Sequence, residues 1–151
     1  MDEERLKELK HLFLFGLLSA QELAQLLDFF KEKRYERHIQ VVSEKDTGDT
    51  MYVIISGAIK ISTGKGDDEK ELITLFPGDF FGEISLIERT LRTANASTLE
   101  ESCLLEITRQ DFTRLISQHP RLAVKMLFRI IQDMSRRLRR MNPSHESGLK
   151  F

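Results

Sequence analysis

The stretch FFGEISLIERTLRTANAST, Phe80 to Thr98, sets a glycine and a carboxylate before a short apolar turn, then an arginine before a run of small residues. Upstream, LITLFPGD alternates apolar with polar residues and ends in Pro77-Gly78, the central pair of a type II turn. Downstream, Arg92 to Thr98 and Ser102 to Ile107 alternate again. A one- or two-turn helix after Gly82, enclosed by strands, is the expected local structure. Such a helix start leaves backbone N–H groups unpaired, and Gly82 lets an anion approach them. Arginine holds two oxygens of one phosphate through parallel N–H bonds. Glu83 is acceptor-only when ionised, so beside a phosphate it must take a hydroxyl as its donor. A nucleotide sugar offers both groups. Glu83 and Arg92 therefore read as a ribose and phosphate pair, against the plainer alternative that they bond each other.

Further strands are expected at Tyr35 to Ser43, Met51 to Ser56, Ala58 to Thr63 and Glu71 to Phe76, separated by turn chemistry at Thr47-Gly48-Asp49, Ser56-Gly57 and GKGDD from Gly64. Many short strands with such turns favour an antiparallel β-barrel or jelly roll over a βαβ fold. Leucines from Leu6 to Leu27 recur at helical spacing, broken around FGLLS, and predict two helices. Ser19 and Glu22 form a capping-box pattern that starts the second, which is expected to run to about Glu32. Thr108 and Asp111 repeat the pattern after the last strand, Pro120 interrupts, and a final helix is expected from Arg121 to Met141. The reading is thus α+β, a single domain over 1–141: helices in 1–33, barrel in 34–107, helices in 108–141, and a flexible tail over 142–151.

In the final helix Val124, Leu127, Ile131, Met134, Leu138 and Met141 step by three and four, the seam of a short coiled coil and a candidate homodimer contact. The basic run Arg136 to Arg140 closes the same helix, where the helix dipole favours cations.

The 151 residues carry a formal net charge of −1 with both signs interspersed, which argues against a nucleic-acid binder. No apolar run is long enough for a membrane span, and the acidic amphipathic start is unlike a secretory signal, so the cytoplasm is the expected location. The single cysteine, Cys103, lies in an apolar run and reads as a buried thiol. The four histidines have no metal-ligand spacing, so neither a metal nor a catalytic site is expected.

The segment FGEISLIERTLRTANA resembles the phosphate-binding cassette of cyclic nucleotide-binding domains, the modules of cyclic-nucleotide-dependent kinases, gated channels and catabolite-activator-type regulators. GDTMYVIISGAIKI resembles the glycine-punctuated strand pair of that family, and LITLFPGDFFGE its approach to the cassette. The resemblance covers nearly the whole chain. It implies a non-catalytic sensor of cAMP or cGMP, with no cofactor, in which Arg92 binds the cyclic phosphate and Glu83 the ribose 2′-hydroxyl. Backbone N–H groups of Gly82, Ile84 and Ser85 would join them, with Thr93 and Ala94 beside the phosphate. The last helix would fold over the base as a lid, its polar candidates being Arg129, Gln132, Asp133 and Arg136. Leu91 stands where many members have proline, and Asn95 where Thr or Ser is common.

A threonine after the arginine favours cGMP, bacterial members mostly answer to cAMP, and a few relatives take cyclic dinucleotides. Rival readings are a cupin enzyme, whose H-x-H metal pair is missing, and a degenerate barrel that docks a protein partner. A third is the sensor fragment of a transcription regulator or channel, since no helix-turn-helix follows Met141 and no membrane segment precedes Met1. The effector that would receive a signal is not named by any motif.

Overall fold

The computed structural model describes residues 3–141. Two helices open the chain, α1 (Glu3–Lys10) and α2 (Ala20–Leu27), joined by a 3-10 turn at Phe13–Phe15. The strands follow: β1 (Lys31–Tyr35), β2 (Gln40–Val42), β3 (Thr50–Ser56), β4 (Ile59–Thr63), β5 (Lys70–Leu75), β6 (Phe80–Phe81), β7 (Asn95–Thr98) and β8 (Ser102–Thr108). Helices α3 (Arg109–Gln118) and α4 (Pro120–Met141) complete it.

The strands form two four-stranded antiparallel sheets, ordered β1-β8-β3-β6 and β2-β7-β4-β5. Strand β3 shows how they are arranged. Its side chains alternate: Tyr52 and Ile54 pack with Val42, Ile59, Phe81, Ala96 and Leu104 between the sheets. Met51 and Val53 face the opposite way, into a core shared with the helices through Leu14, Phe15, Leu23, Leu26, Phe112, Leu115 and Met126. Both faces of this sheet are covered, which is why TMYVIIS reads as a nearly continuous apolar run rather than a strict alternation. The arrangement is the jelly roll expected from the sequence.

Several boundaries differ from expectation. The second helix stops at Leu27 instead of Glu32, because Phe29 and Phe30 turn into the core and Lys31–Tyr35 takes its hydrogen bonds from β8. That strand, KEKRY, is largely exposed, so nothing in its polarity announces it. The single strand expected over Tyr35 to Ser43 is two strands in different sheets. Between them His38 has φ 61°, and the Thr98 hydroxyl accepts from Ile39 N–H at 2.8 Å and donates to the Glu36 carbonyl at 2.6 Å. Finally, the break between α3 and α4 is only His119, with Pro120 as the first residue of α4, where its missing N–H costs nothing. The tail expected over 142–151 lies outside the described residues.

Helix α4 buries Leu122, Ala123, Met126 and Ile130. Of the six seam candidates, Leu127 and Met134 lean on that same core, whereas Val124, Ile131, Leu138 and Met141 are exposed, and Phe128 joins the exposed set. Cys103 is buried, and burial raises its thiol pKa, which suits an inert thiol. Among the described residues no helix is long and apolar enough to cross a membrane.

Ser19 caps α2 reciprocally with Glu22, as the spacing predicts. Both Glu22 oxygens also accept from Lys125 Nζ of α4, at 2.8 and 2.9 Å. The Lys125 bond, then the Ser19 N–H, hold this carboxyl at about 2 against an ordinary 4.5. A depressed folded-state pKa stabilises the fold above pH 4.5, and that contribution is lost as pH falls towards 2. Glu22→Gln retains the cap but should lower stability at neutral pH and flatten the acid limb, read from urea midpoints across pH 7 to 2.

Candidate functional site

The strand expected from Arg92 begins only at Asn95, and Arg92 stands in an extended loop before β7, held by the segment that precedes β3. Its N–H donates to the Asp46 carbonyl at 2.7 Å, and its own carbonyl accepts from Lys45 N–H at 2.9 Å. The neighbouring Leu91 makes an isolated bridge with Thr47. The guanidinium lies between two glycines. A Cβ added to Gly48 would sit 1.9 Å from Arg92 Nε, and one added to Gly82 would sit 2.7 Å from Nη1. Gly82 also has φ +80°, a backbone state that L side chains rarely adopt. Arg92 Nη2 donates to the Thr50 carbonyl at 2.8 Å, and the Tyr52 ring lies 5.9 Å away.

Burial lowers the Arg92 pKa, and it outweighs the opposing pull of the Tyr52, Asp49 and Glu83 side chains. Glu83 is the buried carboxylate nearby, yet among the described residues its ion pair goes elsewhere: Oε1 meets Arg137 of α4 at 3.1 Å. The ion pair weighed in the sequence, Glu83 with Arg92, is not formed.

Gly82, Glu83, Arg92 and Arg137 lie on the wall of a cavity of about 730 Å³. Its wall includes all seven residues singled out around the cassette: Gly82, Glu83, Ile84, Ser85, Arg92, Thr93 and Ala94. The helix expected after Gly82 is a single 3-10 turn, Glu83–Leu86, in which Ser85 N–H is already donated to the Gly82 carbonyl at 3.1 Å. Apolar wall is supplied by Val42, Ile61, Leu75 and Phe81. Helix α4 contributes Asp133, Arg136, Arg137 and Arg140. The other two lid candidates do not line the cavity: Arg129 donates to Gln132 at 3.0 Å and stacks over Phe13 at 4.5 Å.

A family model described as the cyclic nucleotide-binding domain matches residues 32–119. The chain belongs to this family. It is 32% identical over 111 residues to the cyclic AMP receptor protein of Thermus thermophilus, covering 73% of this chain and 51% of that one. It is 36% identical over 114 residues to an isozyme 2 form of the cGMP-dependent protein kinase of Drosophila melanogaster, covering 72% of this chain and 12% of the kinase. Among solved structures, the N-terminal domain of a transcriptional regulator from Streptomyces coelicolor superposes with a TM-score of 0.74 at 29% identity, over 95% of this chain and 96% of that one. The chain thus spans about half the length of the Thermus relative.

Within this cyclic nucleotide-binding domain, sequence reasoning missed four positions. Gly48 and Thr50, read only as turn and strand, form the cradle of Arg92. Arg109 donates to the carbonyls of Ser85 at 2.8 Å and Gly48 at 2.9 Å, so the first residue of α3 ties the cassette to that cradle. Arg137 was hidden in a basic run explained by the helix dipole. Asn95, an unusual residue for its place, joins three segments: its Oδ1 accepts from Glu44 N–H at 2.7 Å and from Gln40 at 3.1 Å, while Nδ2 donates to the Gly64 carbonyl at 3.0 Å.

Gly48→Ala should expel the Arg92 guanidinium from its place at a cost of about 1–3 kcal/mol, the range for overpacking. The Arg92 Nε–H resonance should shift by NMR while the fold persists.

Proposed function

We propose that this domain binds a cyclic nucleotide as a non-catalytic regulatory module, with the cyclic phosphate on Arg92 and the ribose 2′-hydroxyl on Glu83. The observation that carries this reading is the Arg92 guanidinium, half-buried between Gly48 and Gly82 on the wall of the cavity and, among the described residues, in no ion pair. A buried cation without an anionic partner is costly, and an exocyclic phosphate supplies two acceptors in the geometry a guanidinium prefers. The apolar wall of Val42, Ile61 and Leu75 suits a sugar and base. Membership of the family, and relatives named for cAMP and for cGMP, support a cyclic mononucleotide without choosing between the two. Asp133 and Arg136 on α4 are the lid candidates that reach the cavity.

Ligand contacts to both cassette and α4 would favour the docked helix, and a ligand shifts a conformational equilibrium only by such differential contact. The signal would then pass through α4 to an effector. Under this reading the protein acts in the cytoplasm.

Titration calorimetry with cAMP, cGMP and a cyclic dinucleotide should give heat with at least one mononucleotide. Losing one charge-assisted, partly buried partner costs about 2 to 5 kcal/mol, so Arg92→Ala should weaken binding roughly 30-fold to several thousandfold. Binding unchanged in this variant would refute the phosphate assignment. No heat with any ligand would favour a protein-docking module.

A second copy is the favoured partner for α4. Val124, Phe128, Ile131 and Leu138 are all more than half exposed, and with Ser135 they keep the 4-3-4-3 rhythm of a coiled-coil seam. The stripe is rotated from the one read in the sequence because Leu127 and Met134 belong to the chain's own core. Ile131→Glu should convert a sedimenting dimer to monomer without altering the circular dichroism of the fold.

A further inference from the structure

Away from the cassette, the cavity wall has a rim built from three segments: His11 and Phe13 at the N-terminal 3-10 turn, Pro77 and Gly78 between β5 and β6, and Arg136 and Arg140 of α4. The segments are closely joined. A Cβ on Gly78 would lie 3.7 Å from Leu12 Cδ2, and Arg136 Cζ lies 4.1 Å from the centroid of the Phe13 ring. Four arginines line the cavity as a whole, Arg92, Arg136, Arg137 and Arg140, and three carboxylates, Asp79, Glu83 and Asp133. Arg137 takes up two of the carboxylates, Glu83 and Asp133. The third, Asp79, accepts from the Phe76 N–H at 2.8 Å within its own turn. Among the described residues Arg136 and Arg140 form no ion pair and donate no hydrogen bond, whereas their neighbour Arg139 donates to Ser135 Oγ at 2.9 Å. They stand one turn apart on α4, a spacing at which like charges repel. Stacking on Phe13 holds the Arg136 guanidinium in place and leaves its N–H donors free.

We propose that this rim is a second anion subsite, in which Arg136 and Arg140 hold a phosphate additional to the one assigned to Arg92. The inference rests on the cyclic-nucleotide reading above and extends it. A cyclic mononucleotide carries a single phosphate, and with that group on Arg92 it brings no anion to the rim. Two kinds of molecule supply the second phosphate. A cyclic dinucleotide carries two phosphodiesters in one ring and spans slot and rim, which open into the same cavity. A separate phosphate-bearing anion enters beside a bound mononucleotide. The recognising chemistry is the same for both: guanidinium N–H groups donate in pairs to the oxygens of one phosphate. An anion between Arg136 and Arg140 also removes the repulsion between them, so its binding favours the last turns of α4 in their helical form against the Phe13 turn.

The test is titration calorimetry on the full chain at one fixed salt concentration, with wild type, Arg140→Ala and Arg136→Ala. The titrants are cAMP and cGMP, cyclic di-AMP and cyclic di-GMP, and inorganic pyrophosphate added to protein saturated with the better mononucleotide. In wild type, either a cyclic dinucleotide should bind about tenfold or more tighter than the mononucleotides, or pyrophosphate should give heat on the saturated protein. The first result assigns the second phosphate to one bridging molecule, and the second assigns it to a separate anion. Arg140→Ala should weaken that extra binding about tenfold to a hundredfold, the worth of a hydrogen bond to a charged group, and leave the mononucleotides within about twofold. Arg136→Ala should weaken the second-phosphate ligand more than the mononucleotides. Thermal midpoints check that both variants stay folded, and Arg140, with no bonded partner among the described residues, is the safer of the two. Mononucleotide binding with no extra affinity from either source would overturn the proposal and leave the cyclic-nucleotide reading standing. So would extra affinity that survives Arg140→Ala, or equal weakening of every titrant. No heat with any nucleotide would overturn the cyclic-nucleotide reading itself, and this inference with it.

Discussion

The structure is organised around a guanidinium in a glycine slot. Arg92 is drawn halfway out of water into a place that two missing side chains leave open, at Gly48 and at Gly82. The Thr50 carbonyl satisfies one nitrogen. The backbone of Arg92 is sewn to Lys45 and Asp46, so the loop before β3 and the loop before β7 form one unit.

The two C-terminal helices are tied to that unit at separate points and in different ways. Arg109 reaches backbone carbonyls of Ser85 and Gly48 from the start of α3, which fixes main-chain positions whatever the side-chain charges do. Arg137 reaches the Glu83 carboxylate from α4, which makes its tie dependent on an ion pair. The α3 tie thus rests on main-chain carbonyls and the α4 tie on a side-chain ion pair.

Much of this was legible in the sequence. The jelly roll followed from short alternating runs divided by Gly, Pro and Asp turns, and the capping pairs at Ser19 and Thr108 marked where α2 and α3 begin. The cassette residues were named from the motif and from the family it resembles, and the structure gathers all seven on the wall of one cavity. What escaped was of two kinds. KEKRY forms a strand through its register with β8, a long-range pairing that no local alternation records. Gly48, Thr50 and Arg137 act through approaches between distant segments, and their types are ordinary for a turn, a strand and a helix end. Leucine and methionine at helical spacing do not say which neighbour they face, and of the six seam candidates on α4 Leu127 and Met134 lean on the chain's own core.

The central claim is that Arg92 and Glu83 divide the recognition of one ligand. A crystal structure of the domain with its tightest cyclic nucleotide tests this most directly. The account predicts exocyclic phosphate oxygens on the Arg92 guanidinium and the ribose 2′-hydroxyl on Glu83, with Arg137 still against the same carboxylate. A nucleotide bound away from the Gly48–Gly82 slot, or an Arg92 turned towards Glu83 with the cavity closed, would contradict it.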